Sequence, residues 1–167
     1  MNAFVIDTFE FCRINGRREG VTPVAEMSRL TRDCADTSGA IAWVVQGATS
    51  KAGYPQLTLS VAGAVQLTCQ RCLTPFSFEV DSSTALVLAK DEEHADEIDA
   101  IIEDEAIDVI VGSRAMDVND LIEDESLLAL PFSPKHEVCP DVRMFDALKT
   151  EKLLPFAGLK NLKQDVE

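Results

Sequence analysis

Leu57-Thr58-Leu59-Ser60-Val61-Ala62-Gly63-Ala64-Val65-Gln66-Leu67-Thr68-Cys69 is the stretch on which the fold turns. Its odd-numbered positions are aliphatic or thiol and its even-numbered positions are small or polar. A period of two sustained over this length specifies a strand with one face on a core and one in water. Only Gly63 interrupts the apolar row, and it reads as a bulge. After Gln70-Arg71-Cys72 and Pro75 a second alternation begins. Phe76, Phe78, Val80, Leu86 and Leu88 share one face, opposite Ser77, Glu79 and Asp81. The pair predicts a long antiparallel hairpin with Cys69-x-x-Cys72 at its tip. The fold class expected from it is α+β, an antiparallel sheet with a few helices.

Upstream, Ile41 to Gly47 reads as a further strand, with Trp43 and Val45 on one face and Ala42 and Val44 on the other. Ala3 to Ile6 is a short strand, and Asp7 or Thr8 caps a helix through about Ile14 that Asn15-Gly16 ends. Arg13 to Arg18 is an early basic cluster, expected as a solvated loop rather than a phosphate contact. Thr22 as N-cap and Pro23 at the first helical position predict a helix ending near Cys34. Downstream, Asp91 to Glu97 reads as a solvated loop or a frayed helical turn, and Ile98–Ile102 and Ile107–Val111 read as strands parted by Glu103-Asp104-Glu105. Asp117 caps a helix over Val118 to about Leu130, with Val118, Leu121, Ile122, Leu127, Leu128 and Ala129 as its apolar stripe and Glu123, Asp124 and Glu125 on its exposed side. Pro131 and Pro134 stop it. Residues 1–140 are expected to form one domain, and 141–167 a polar tail that folds, if at all, onto a partner.

The 167 residues carry a net charge of −14. From Asp91 to Glu125 there are 15 acidic residues and one base, Arg114, and the rest of the chain holds 14 of each sign. With no basic stripe, tight nonspecific RNA binding is disfavoured, while the acidic segment suits a basic protein. No apolar run is long enough for a membrane span, and the first residues lack the pattern of a secretory signal. Five cysteines without such a signal fit a reducing cytoplasm better than a disulfide framework. Cys12 and Cys34 read as small buried apolar groups and His94 as an exposed histidine.

Cys69 and Cys72, with His136 and Cys139 beyond the Val118–Leu130 helix, have the composition of a Cys3His zinc site. Such a site is closed, hence structural, and its net charge of −1 would be offset by Arg71 between the first two thiols. A redox pair Cys69–Cys72 and unmetallated cysteines are the alternatives. Catalytic signatures are thin: there is no Gly-rich phosphate loop, nucleophile elbow or His-Glu-x-x-His. A nuclease would have to draw on Asp120, Glu123, Asp124 and Glu125.

Taken together, Leu67-Thr68-Cys69-Gln70-Arg71-Cys72, Pro75-Phe76, Ile122-Glu123-Asp124-Glu125, Leu127-Leu128-Ala129-Leu130-Pro131, Pro134, His136, Cys139, Pro155-Phe156-Ala157 and Leu159 resemble the bacterial YceD family, the large ribosomal RNA subunit accumulation proteins. The resemblance spans roughly residues 41–162. It implies a non-enzymatic role in synthesis, processing or stability of 23S ribosomal RNA, in a family usually encoded beside a small zinc-ribbon protein of the large subunit. The expected partner is a large-subunit ribosomal protein or a 23S precursor particle, met through Arg71 and through Glu123, Asp124 and Glu125. A thiol oxidoreductase, a metal-dependent nuclease and an acidic zinc-ribbon adaptor unrelated to ribosomes remain open beside it.

Overall fold

The computed structural model of the chain describes residues 4–102 and 107–140. Strand β1 (Val5–Ile6) leads to helix α1 (Thr8–Arg13), whose first turn is capped by Asp7 accepting the N–H groups of Phe9 and Glu10. Strands β2 (Arg17–Pro23), β3 (Ala40–Thr49), β4 (Pro55–Thr68), β5 (Pro75–Ala89) and β6 (Ile107–Val111) form one sheet in that order. Between β2 and β3 lie a 3-10 turn, Val24–Glu26, and a short helix α2 (Leu30–Asp33). Helix α3 (Glu92–Asp99) joins β5 to β6. Strand β7 (Met116–Asp117) pairs with β1, and helix α4 (Val118–Leu128) follows it. The architecture is α+β, and the sheet is mixed: β2 to β5 are antiparallel neighbours, but β6 runs parallel to β5. The α3 crossover makes that possible, since parallel neighbours need a connection longer than a hairpin turn.

The central hairpin follows the predicted phase. Leu57, Leu59, Val61, Val65, Leu67 and Cys69 are all buried, and β4 pairs with β5 from Gln56↔Val87 to Thr68↔Pro75. No bulge occurs at Gly63, which pairs in register with Ile41 on one side and Val80 on the other. Its lack of a side chain serves a close approach instead: a Cβ there would lie 2.3 Å from the Ala40 carbonyl oxygen. The inward rows of β3 to β5 form the main core with Phe11 of α1, Leu30 of α2 and Val118 and Ile122 of α4. Each fully buried aliphatic side chain there contributes about 1.5–3 kcal/mol. The opposite face is covered at the β5–β6 end, where Ile98 of α3 packs on Val87 and Ala89.

Three expectations are corrected. Arg17 to Pro23 is neither loop nor helix start but the edge strand β2; Thr22 is buried and its hydroxyl accepts the Trp43 indole N–H at 3.0 Å. A buried indole N–H requires a partner, and that demand fixes Thr22 in the sheet, leaving Val24 to Asp33 as two short turns. The basic cluster is neutralised locally: Arg13 pairs with Glu10, Arg17 with Glu19, and Arg18 lies over the Phe11 ring. Ile98 is helical, not the start of a strand. Asp91 caps α3 by accepting the His94 N–H, and Ala95, Ile98 and Ile102 recur at helical spacing against the sheet. Ala3, Glu103 to Glu105 and the tail at 141–167 lie outside the described residues.

Candidate metal centre

The connection from β4 to β5 runs from Cys69 to Thr74. It is closed by the Leu73 N–H donating to the Cys69 carbonyl at 2.8 Å and the Cys69 N–H donating to Thr74 at 3.0 Å, with Leu73 at φ 60°. The segment after α4 is laced to this loop. The Gln70 N–H donates to the Pro134 carbonyl at 2.8 Å, and the Ser133 hydroxyl donates to Gln70 Oε1 at 2.9 Å. Pro131 and Pro134 break the helix and turn the chain back toward the hairpin. The ring of His136 then rests on that of Phe76, with centroids 4.8 Å apart.

These contacts bring Cys69, Cys72, His136 and Cys139 together, with their donor atoms all within 4.8 Å of one another. The Cys69 and Cys139 sulfurs are 3.8 Å apart, and Cys72 Sγ is 3.3 Å from His136 Nδ1. A tetrahedral zinc with Zn–S of about 2.3 Å and Zn–N of about 2.0–2.1 Å sets S···S near ~3.8 Å and S···N near ~3.6 Å. The Cys69–Cys139 and Cys72–His136 separations lie close to those edges, and the full set, within 4.8 Å, is compact enough to close on one ion. Cys69 Sγ also accepts the N–H groups of Arg71 at 3.4 Å and His136 at 3.5 Å, which is how an outer shell steadies a thiolate ligand.

Burial pushes the Cys69 thiol up, but the N–H groups of Cys72, His136 and Arg71, with the His136 ring, outweigh it and bring its pKa down to about 5. The thiolate of Cys69 in turn raises His136, with Cys72 adding to it. The Thr74 hydroxyl, 3.1 Å away, lowers Cys72. Cys139 takes the opposite course: burial, and then the two neighbouring cysteines, push it up to about 11. Three thiols crowded this closely resist ionising together unless a cation sits among them.

Arg71 is exposed on the loop between the first two thiols. The acidic trio behaves differently from expectation. Glu123 is 7% and Glu125 8% exposed, so neither lies on a solvated face. Glu123 Oε1 accepts the N–H groups of Arg29 at 2.5 Å and Leu30 at 3.0 Å, and its Oε2 takes Arg29 Nε at 2.9 Å. It thereby caps α2, which has no cap of its own. Glu125 accepts the Ser82 hydroxyl at 2.5 Å. Asp124 is exposed and pairs with Arg29, whereas Leu128, expected on the apolar stripe, is 80% exposed. The helix is turned so that its acids at 123 and 125 meet polar partners on neighbouring elements. Glu123 and Asp124 share the Arg29 guanidinium, whereas Glu125 faces Ser82; among the described residues the donors grouped closely enough for one metal ion are Cys69, Cys72, His136 and Cys139. His94 is half-buried, its Nδ1 accepting the Lys90 N–H at 3.2 Å. Cys12 is buried with its S–H on the Gln56 carbonyl at 3.2 Å, and Cys34 is half-buried.

The fold and site define a small α+β protein whose hairpin loop and trailing segment assemble a Cys3His donor set. A family model described as "Large ribosomal RNA subunit accumulation protein YceD" matches residues 57–163. The protein of that name from Haemophilus influenzae is 32% identical over 122 residues, covering 66% of this chain and 68% of its own. The chain belongs to the YceD family. No solved structure matches it. Among the described residues no helix is long and apolar enough to cross a membrane.

Proposed function

We propose that this chain is a cytoplasmic ribosome-biogenesis factor that supports large-subunit ribosomal RNA by binding rather than by catalysis, and that its fold is locked by one structural zinc ion. The ribosomal part is supported by the family, whose description names accumulation of the large ribosomal RNA subunit. The zinc part is carried by one observation, the four soft or borderline donors within 4.8 Å. Zinc in that set would offset most of the charge of the crowded thiolates and tie the segment after α4 to the hairpin. All four positions would be filled by side chains, leaving none for a reacting water. Arg71, exposed at the loop, offsets the net negative charge of such a centre and offers a contact to an RNA phosphate or an acidic side chain. The partner is a large-subunit ribosomal protein or a 23S precursor particle. On the acidic side, Asp124 is the exposed member of the trio and is held by Arg29, with Glu123 and Glu125 shaping the helix that carries it.

The test is a sucrose-gradient profile of cells depleted of the protein. The expected result is a diminished large-subunit peak, restored by the wild-type chain and by Cys12→Ser but not by Cys72→Ser with Cys139→Ser. An unchanged profile on depletion would refute the ribosomal role. Full rescue by the double variant would refute the zinc centre as its support.

A further inference from the structure

Beside the candidate metal centre the surface is unusually apolar. Leu73 is 76%, Leu128 80% and Phe132 fully exposed. They border a groove of about 610 Å³ that also reaches Leu67, Leu127 and Cys69. On the far side of Leu128 a second groove of about 370 Å³ runs between α4 and the β5–β6 edge, past Leu86, Ile110 and Leu121, with Asp108 and Asp124 at its rim. Leu128 stands between the two, so one apolar track follows the C-terminal half of α4. A contiguous apolar surface of this kind marks a place where something docks.

The charges say what kind of occupant fits. The exposed charges lining the two grooves are Asp33, Asp108 and Asp124 against one base, Arg32, and the last turn of α4 carries no base. The carbonyls at a helix C-terminus add further negative potential there. Nucleic acid is disfavoured on such a rim; an apolar segment bearing lysines is favoured. The chain itself contains one. Phe145, Leu148, Leu153, Leu154, Phe156, Leu159 and Leu162 are interleaved with Lys149, Lys152, Lys160 and Lys163, against the two acids Asp146 and Glu151 between positions 145 and 163. That stretch carries +2, whereas residues 1–140 carry the whole −14. It also starts in the right place. Asp141 follows Cys139 by two residues, and the Cys139 sulfur is 3.8 Å from that of Cys69, which lines the groove. A short tether of this kind gives an effective concentration on the order of millimolar, which a separate chain of equal chemistry would have to match in solution. The family match runs on to residue 163, so the segment belongs to the matched region.

We propose that residues 145–163 of this chain dock along the track beside α4, their apolar side chains covering Leu73, Leu128 and Phe132 and their lysines facing Asp33, Asp108 and Asp124. Hydrogen exchange of the full-length chain, read by mass spectrometry, tests this. Peptides from 145–163 should exchange about tenfold or more slowly than an unstructured chain, given a tethered concentration of that order. The protection should not change on dilution. It should vanish in Leu128→Glu with Phe132→Glu, both exposed in the body, while the β4 amides stay protected. It should vanish equally when Lys149, Lys152, Lys160 and Lys163 are changed to Glu, a variant that leaves the groove intact. Exchange at the unstructured rate in the wild type would overturn the proposal. Protection that survives the groove variant would mean docking elsewhere, and protection that fades on dilution would mean a second copy supplies the segment; either result also overturns it.

Discussion

Replacing Glu123 with Ala should cost far more than replacing its neighbour Asp124, although both are acids on the same helix. Glu123 is 7% exposed and holds the N–H groups of Arg29 and Leu30 together with the Arg29 side chain. Truncation leaves the Leu30 N–H buried without an acceptor, at about 1–3 kcal/mol. The Arg29 guanidinium is 41% exposed, so losing its pair adds only about 0–1 kcal/mol. The expected loss is about 1–4 kcal/mol, or a fall in Tm of roughly 2–16 °C for a chain of this size. Asp124 is 52% exposed, and Asp124→Ala should lose less than about 1 kcal/mol. Thermal melts and urea titrations of the two variants make the comparison. Burial raises the Glu123 pKa, but the Leu30 N–H, the Arg29 side chain and the Arg29 N–H more than offset it and leave it below 4.5. A carboxyl depressed in the folded state contributes stability that is complete above its ordinary value and is lost as pH falls through the folded value. The gap between wild type and Glu123→Gln should therefore be constant near neutrality and shrink below pH 4.5. Equal, small losses for Glu123→Ala and Asp124→Ala would refute the clamp and return Glu123 to the solvated face.

Thr22→Val should strand the buried Trp43 indole N–H at a cost of about 1–3 kcal/mol, with the emission of the only tryptophan reporting the altered site. Gly63→Ala drives a Cβ toward the Ala40 carbonyl and should destabilise by about 1–3 kcal/mol in urea titrations. Zinc loading near neutral pH should release at least one proton, from Cys139, whose pKa of about 11 keeps it protonated beforehand. Calorimetry in buffers of different ionisation enthalpy measures that release, and no buffer dependence would contradict it.

The hairpin was legible because a period-two row, Leu57 to Leu67, admits no other half-buried structure, and the donor set because its residues are chemically distinctive. What stayed illegible depended on contacts between distant segments. Thr22 and Pro23 are good helix-opening residues in isolation, but the Trp43 indole N–H, 21 positions away, claims the Thr22 hydroxyl for the sheet. Glu123 looks like any acid on a charged helix, and nothing in its neighbours reveals that the α2 backbone 94 and 93 positions upstream needs it as a cap. Ile98 was readable in principle: Ala95, Ile98 and Ile102 carry a helical period that the acidic composition around them obscured. The parallel pairing of β6 follows from α3 being a helix, so both were missed together.

Elemental analysis of the purified full-length chain tests the metal centre most directly, alongside the Cys72→Ser and Cys139→Ser variants. The expected result is about one zinc per chain in the wild type, as a single four-ligand site requires, little in either variant, and a lowered Tm after chelation. A folded wild-type chain that contains no zinc, takes up none when it is supplied, and melts unchanged in chelator would contradict it.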